Sequence, residues 1–453
     1  MGEPDSYREA LSALKYIHEG VYSSYWDHPL TMYVFVAATR LALALGLAQA
    51  KMLNTTAVLF GAAAVWPFYR LTERLTNGST AAFATLGLIL SPVFLKFSTY
   101  LSHEIVGFAF ALWSLHLVES TFSRPARFKA AAAGFCLAAT WSARPIVAMI
   151  LAAPLIVLLL RQCRTRDKVA ALTRLIPFAL LGFVLCLALV YTPALIEHLR
   201  SYSGKFLFTY YEFGRYIRST TLIGIESLTP ALVALTALGC AALIAYRAWS
   251  LLVFGLVWIV PGYLFYTGMY SMHRYFLALL PPFILLCFAG ADRIDDGFGR
   301  CWRFPYPAKT LVFLFLLVAS LFPSVPEILY LARVNEDQAV SEAIGDIVGP
   351  NLLFTTAPEP MILYYNPERP PETVYLVTEY RPGQVVMRTD ALQDARRRLA
   401  HGRPVFATGD IVRQIEFAGI DAEFEFVWEF RGRSVTLNLY RITGLNLEGW
   451  APR

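Results

Sequence analysis

Charge is scarce in this chain. Only 16% of its 453 residues are Asp, Glu, Lys or Arg, while 57% are hydrophobic. An average soluble domain carries roughly 25% charged residues, so this balance excludes an ordinary soluble protein and points to lipid as solvent. The net charge of +6 is small. Its basic residues fall in short clusters between apolar runs, as topology-setting loops do, and a nucleic-acid surface would look different. Cysteine is scarce too. The six are Cys136, Cys163, Cys186, Cys240, Cys287 and Cys301. None follows residue 301 and no pair has metal-ligand spacing, which excludes a disulfide framework in the C-terminal region and argues against zinc. P-loop, dinucleotide and nucleophile-elbow patterns are all missing. The stretch Met1–Tyr25 lacks the basic start and apolar core of a signal peptide. Asn54-Thr55-Thr56 and Asn77-Gly78-Ser79 match the glycosylation pattern, a short match that chance often supplies.

What the chain does have is long apolar runs, at 54–71, 81–96, 104–121, 129–143, 145–160, 175–193, 228–246, 250–268, 275–291 and 308–325. These read as an α-helical polytopic membrane protein of about ten spans. Aromatics at 14% suit interfacial belts. A further run, 30–48, could cross the bilayer or lie along its surface. The positive-inside rule decides between these. If 30–48 stays on the outer face and 54–71 crosses inward, then Arg70, Arg74, Arg124, Arg127, Lys129, Arg161, Arg164, Arg166, Lys168, Arg247, Arg293, Arg300, Arg303 and Lys309 all fall inside. The opposite choice puts every one of them outside. The expected non-cytoplasmic face therefore collects 1–53, 97–103, the turn at Arg144, the loop 194–227, the turn 269–274 and the tail.

From residue 326 the pattern becomes that of a small soluble α/β domain. Asn335–Val348, Asp390–His401 and Ile411–Ala418 read as helices. Asn351–Thr356, Thr373–Thr378 and Pro404–Thr408 read as strands. Glu423–Phe430 and Ser434–Ile442 alternate with period two, as a hairpin does.

Four groups on the non-cytoplasmic face could carry chemistry. Asp5, beside Glu3 and Tyr7, is either a helix N-cap or a carboxylate that deprotonates an acceptor or binds a cation. Glu104, after His103, opens an apolar helix, where the dipole alone would favour an acid. Arg144, between two apolar helices, breaks the topology rule and calls for an anionic ligand or Glu104 as partner. His273-Arg274-Tyr275 opens another helix. With Lys205, Arg215 and Arg218 it could supply cations to a phosphate near the bilayer surface, although those three loop cations could equally be solvated. The aromatic loop around Tyr210 would touch lipid.

In order, these features resemble the GT-C superfamily of membrane glycosyltransferases, in particular bacterial proteins of the dolichyl-phosphate-mannose-protein mannosyltransferase and aminoarabinose-transferase type. Glu3-Pro4-Asp5-Ser6-Tyr7 resembles the family's first-loop acidic motif, and Asp27-His28-Pro29-Leu30 its His-Pro-Pro-Leu type segment. Ser91-Pro92 followed by Glu104 resembles its second loop, and Arg144-Pro145 a recurrent Arg-Pro step. His273-Arg274-Tyr275-Phe276-Leu277 through Pro281-Pro282 resembles its Arg-Tyr segment. The resemblance covers about 1–325, with 326–453 as a separate non-cytoplasmic domain. It implies transfer of a sugar from a polyprenyl-phosphate donor to a glycan, lipid or protein acceptor on the outer side of a cell inner (plasma) membrane. It implies Asp5 as catalytic base, with Glu3 and Glu104 as auxiliary acids, and Asp5 and Glu104 as ligands should a divalent cation take part. It implies Arg144, His273, Arg274, His103, Tyr7 and His28 around the substrate. The family also has a spanning helix before its first acidic motif. Here Asp5 follows Met1 almost at once, so the chain reads as one helix short at its start.

Two other classes compete. A transporter or lipid flippase would show repeats and charges near the midplane, whereas here the charges cluster at one face and no repeat is visible. The other is a non-catalytic membrane protein whose tail binds a partner; if Asp5, Glu104 and Arg144 lie far apart and face lipid or bulk water, the transferase reading fails.

Overall fold

The computed structural model describes the chain except residues 1–3, 23–27, 124–125, 163–165, 203–212, 269–271, 299–306, 320–335, 357–358, 367, 382–383, 433–435 and 448–453. Two compact units emerge, Ser12–Glu327 and a second one made of Ile328–Arg453 with Met1–Leu11.

The first unit is helical. Its elements are α1 (Pro4–Glu19, whose first residues belong to the second unit), α2 (Pro29–Leu45), α3 (Gln49–Leu75), α4 (Gly78–Leu90), α5 (Pro92–Phe97), α6 (His103–Ser123) and α7 (Arg127–Ala143). They continue as α8 (Pro145–Gln162), α9 (Arg166–Val190), α10 (Pro193–Tyr202), α11 (Ile217–Leu228), α12 (Pro230–Ala245), α13 (Trp249–Thr267), a 3-10 turn His273–Ala278, α14 (Leu280–Phe298) and α15 (Ala308–Ala319). Each expected apolar run lies mainly on helix among the described residues, although 81–96 is divided, 175–193 breaks at Tyr191-Thr192, 275–291 opens in the 3-10 turn, and 320–325 lie outside the described residues. Pro92 disfavours helical backbone at Ser91, which sits extended at φ −64°, ψ 132° and separates α4 from α5.

Among the described residues, Gln49–Leu75, Leu172–Val190 and Trp249–Thr267 are long and apolar enough to cross a membrane, and α11 with α12, bent 93° to each other, is either a broken fourth span or a re-entrant loop. Shorter apolar helices include Pro29–Leu45, Gly78–Leu90, Pro145–Arg161 and Ala308–Ala319. The protein is a multi-pass membrane protein. Small residues bring its helices together, as lipid offers little hydrophobic drive for association. A Cβ on Gly134 would lie 1.8 Å from the Ala179 carbonyl oxygen, and one on Gly182 1.9 Å from that of Ala131. So α7 and α9 meet backbone to backbone. The same holds for α12 and α14, where a Cβ on Gly290 would lie 2.3 Å from Gly239 Cα.

At the α4 end, Asn77 is spent on structure. Its side-chain oxygen caps α4 by accepting from Thr80 N at 2.9 Å, and its Nδ2 donates to Asp292 Oδ2 at 2.9 Å. Asp292 also pairs with Lys309 Nζ at 2.7 Å, tying α14 to α15.

The second unit is a three-layer α/β domain. Its strands are β1 (Leu352–Phe354), β2 (Glu372–Val374), β5 (Val405–Thr408), β6 (Asp421–Arg431) and β7 (Thr436–Asn446), in the order β2-β1-β5-β7-β6. A separate ribbon pairs β3 (Val377–Arg381) with β4 (Gln384–Met387). β1 runs parallel to β2 and β5, and β7 antiparallel to β5 and β6. Alternation sorts the side chains. Leu352, Phe354, Val405 and Ala407 pack with α18 (Thr389–Ala400) and α19 (Gly409–Phe417). Leu353 and Phe406 pack on the other face with α16 (Glu336–Val348) and Ile362 of α17 (Glu359–Tyr365). Tyr7 belongs to this unit, its ring centroid 5.5 Å from that of Tyr364 and its hydroxyl 3.3 Å from that of Tyr365.

Candidate functional site

The site of the helical unit is built where helices begin. Glu104 lies in the first turn of α6, where the dipole favours an anion. Arg144 occupies the corner between α7 and α8. Pro145 bars helical backbone at the residue before it, and Arg144 is accordingly extended at φ −157°, ψ 93°. That break turns its side chain out of both helices. Arg274 comes from the 3-10 turn ahead of α14, and His28 from the N-cap position of α2. All four are buried, as is His103.

These side chains converge on one carboxylate. Glu104 Oε1 lies 2.9 Å from His103 Nε2, 3.2 Å from Arg274 Nε and 3.3 Å from Arg144 Nη2. These ion pairs all run through Oε1, and neither carboxylate oxygen meets hydrogen-bond geometry among the described residues. Arg144 Nη1 is 2.9 Å from His28 Nε2. His28 stands outside the helices. Burial, then the charges of His103 and Arg144, hold it well below the usual histidine range, so its Nε2 accepts from the guanidinium as a neutral ring. The His28 and His103 rings are 4.6 Å apart.

One aromatic ring supports both guanidiniums. Arg144 Cζ lies 5.3 Å and Arg274 Cζ 5.6 Å from the centre of Tyr275, a cation–π geometry. Tyr275 in turn stacks on the buried Tyr266 at 5.3 Å and 17°. Gly107, one turn after Glu104, leaves room for Arg144. A Cβ there would lie 2.9 Å from Arg144 Cβ. Tyr266 and Gly107 carry no sequence signal of their own, since each looks like ordinary helix packing. Tyr275 stands inside the Arg-Tyr segment, where its neighbours' charge draws the eye first.

Other expected residues lie elsewhere. His273 Nδ1 is 2.8 Å from Ser227 Oγ, away from Glu104. Arg215 and Arg218 are exposed, and Arg215 lies over Tyr216. Tyr7 sits in the other unit. Glu3, Asp27 and Lys205 lie outside the described residues, and Asp5 falls on α1 with its side chain outside them. Among the described residues no three His, Cys, Asp or Glu group to hold a metal ion. Two guanidiniums already occupy Glu104 Oε1, and a dication there would face their charge. This donor set suits an anionic ligand.

No protein-family model matches the chain, and no curated protein sequence does. Solved structures do. The chain is similar to ArnT from Cupriavidus metallidurans in the apo state, with a TM-score of 0.53 at 13% identity over 96% of this chain and 93% of that one. Against ArnT bound to undecaprenyl phosphate the TM-score is 0.52 at 14% identity, over 97% and 93%. The chain has the GT-C fold. A further GT-C match is the mycobacterial arabinofuranosyltransferase AftD (mutant R1389S), with a TM-score of 0.51 at 15% identity, where 97% of this chain covers 39% of that one. The likeness to ArnT runs the length of both chains, so it takes in the C-terminal α/β domain as well as the helical one.

Proposed function

We propose that the chain is a membrane glycosyltransferase that moves a sugar from a polyprenyl-phosphate donor to an acceptor on the non-cytoplasmic face. The observation that carries this reading is the pair of buried guanidiniums, Arg144 and Arg274, held over one tyrosine at the mouth of α6. A lipid phosphate cannot leave the interface, so cations at helix mouths suit it. ArnT, which has the same fold, binds undecaprenyl phosphate. The positive-inside pattern supports the sidedness, because Arg70, Arg74, Arg127 and Arg161 stand at the other ends of their helices.

The chemistry follows from the charges. An acceptor hydroxyl attacks the anomeric carbon, the bond from that carbon to the phosphate oxygen breaks, and polyprenyl phosphate departs with added negative charge. Arg144 and Arg274 stabilise that charge in a site already shaped for it. The hydroxyl proton passes to a base, which we assign to Asp5 on the sequence resemblance, with Glu3 as an auxiliary acid. His28 and Glu104 hold Arg144 from two sides and fix its direction.

The test uses a radiolabelled polyprenyl-phosphate sugar in membranes. Arg274→Gln and Arg144→Gln should each lose donor binding and transfer by about 10²-fold or more. Glu104→Gln should bind donor at least as tightly as wild type, and Asp5→Asn should bind donor and fail to transfer. Wild-type transfer by Arg274→Gln removes the phosphate assignment, and wild-type transfer by Asp5→Asn removes the base.

A further inference from the structure

The end of the bundle away from Glu104 carries cations that the transferase reading does not use. α3 closes there with Arg70 and Arg74, and α7 opens there with Arg127 and Lys129. His116, about 18 Å along α6 from Glu104 at 1.5 Å per residue, feels the charges of Arg74, Arg70 and Lys129.

These groups are not equally engaged. Arg70 is ion-paired with Glu73 and lies 5.5 Å from the centre of the Trp66 ring. Arg127 lies 5.2 Å from the centre of Phe178. Arg74 and His116 differ. Arg74 Nη1 and His116 Nδ1 are both buried, and neither has a hydrogen-bond partner among the described residues. The His116 side chain as a whole is 9% exposed. A buried guanidinium N–H without an acceptor is costly, so Arg74, with Lys129 nearby, is short of an anion, and His116 Nδ1 adds a second buried polar atom that its δ tautomer turns into a donor. The acids nearby are Glu73, which Arg70 and Tyr69 engage, and the buried Glu119 one turn along α6. Trp66 and Phe128, 54% and 84% exposed, flank the cluster with large apolar side chains facing outward.

We propose that α3, α6 and α7 bind the phosphodiester headgroup of an anionic membrane lipid, with Arg74 and His116 as donors and Lys129 at the edge. Charge supplies the attraction, and the outward Trp66 and Phe128 suit the acyl chains of a lipid where a free anion would leave them bare. The site stands apart from the Glu104 cluster and does not depend on its chemistry.

The experiment equilibrates the full chain with equal phosphatidylglycerol and phosphatidylcholine and reads retained lipid by native mass spectrometry. Wild type should prefer phosphatidylglycerol. Arg74→Gln should lower that preference about tenfold, the effect of losing one charge-assisted hydrogen bond. Lys129→Gln should lower it severalfold. Arg247→Gln, exposed beyond the end of α12, should leave it unchanged. A wild-type titration guards against misfolded variants, since phosphatidylglycerol should raise the thermal midpoint and phosphatidylcholine should not. Equal retention of the two lipids, or an equal loss in Arg247→Gln, overturns the proposal. Protection by inorganic phosphate as strong as by phosphatidylglycerol also overturns it, in favour of a free-anion site.

Discussion

Arg144 owes its direction to its neighbour. Pro145 denies it helical backbone, and Gly107 across the interface denies nothing, so the guanidinium reaches Glu104 and Tyr275 together. Gly107→Ala should therefore act through Arg144. With a Cβ 2.9 Å from Arg144 Cβ, something must shift, and a misplacement of about 1 Å can cost 10²-fold in rate. Transfer should fall by that order while the thermal midpoint stays within a few degrees, and unchanged transfer would sink the idea. Glu104, Arg144 and Arg274 were legible because each is a charge in an apolar stretch. Tyr275 stands in the His273-Arg274-Tyr275 group without a role of its own, and Tyr266 carries no signal, because a tyrosine in a hydrophobic helix looks like packing. His273 looked equivalent to Arg274 by adjacency alone. On a tight 3-10 turn adjacent side chains diverge, and His273 meets Ser227 instead.

At the scale of elements, the apolar runs were readable because each is long enough to demand a helix. Where 81–96 became two helices, at Ser91-Pro92, the run's apolar length gave no sign of the break. The partners of those helices were less legible, since glycine contacts depend on which faces meet. The approach of α7 to α9 through Gly134 and Gly182 is the clearest case. Gly134→Val would drive a side chain into the Ala179 carbonyl. Overpacking costs about 1–3 kcal/mol, and backbone contact puts this variant at the upper end. Its thermal midpoint in detergent should drop by several degrees, and a wild-type midpoint would count against the packing described. The α/β domain was legible in its alternation. Most strands and helices proposed from the pattern fall on an observed element among the described residues, but Thr373–Thr378 is split between β2 and β3, which belong to different sheets, and the pairing order comes from long-range contacts alone.

For the whole molecule, the arginine clusters and the Glu104 cluster stand at opposite ends of shared helices, which the positive-inside rule turns into sidedness. In a chain freed of its native cysteines, Thr99→Cys and Phe128→Cys report the two ends. A membrane-impermeant maleimide added to right-side-out vesicles should label Thr99→Cys and spare Phe128→Cys. The reverse pattern would invert the proposed orientation. The contacts of Glu104 have a consequence for turnover. Its Oε1 faces both guanidiniums, so in the proposed transferase a donor phosphate would compete with this carboxylate for them. On that proposal an incoming donor binds by exchange with a resident anion, and its affinity is the difference between two attractions. The same carboxylate is on hand to reclaim the arginines once the sugar has gone. Product release is then assisted from within, and the Glu104→Gln variant would hold its spent lipid phosphate too long.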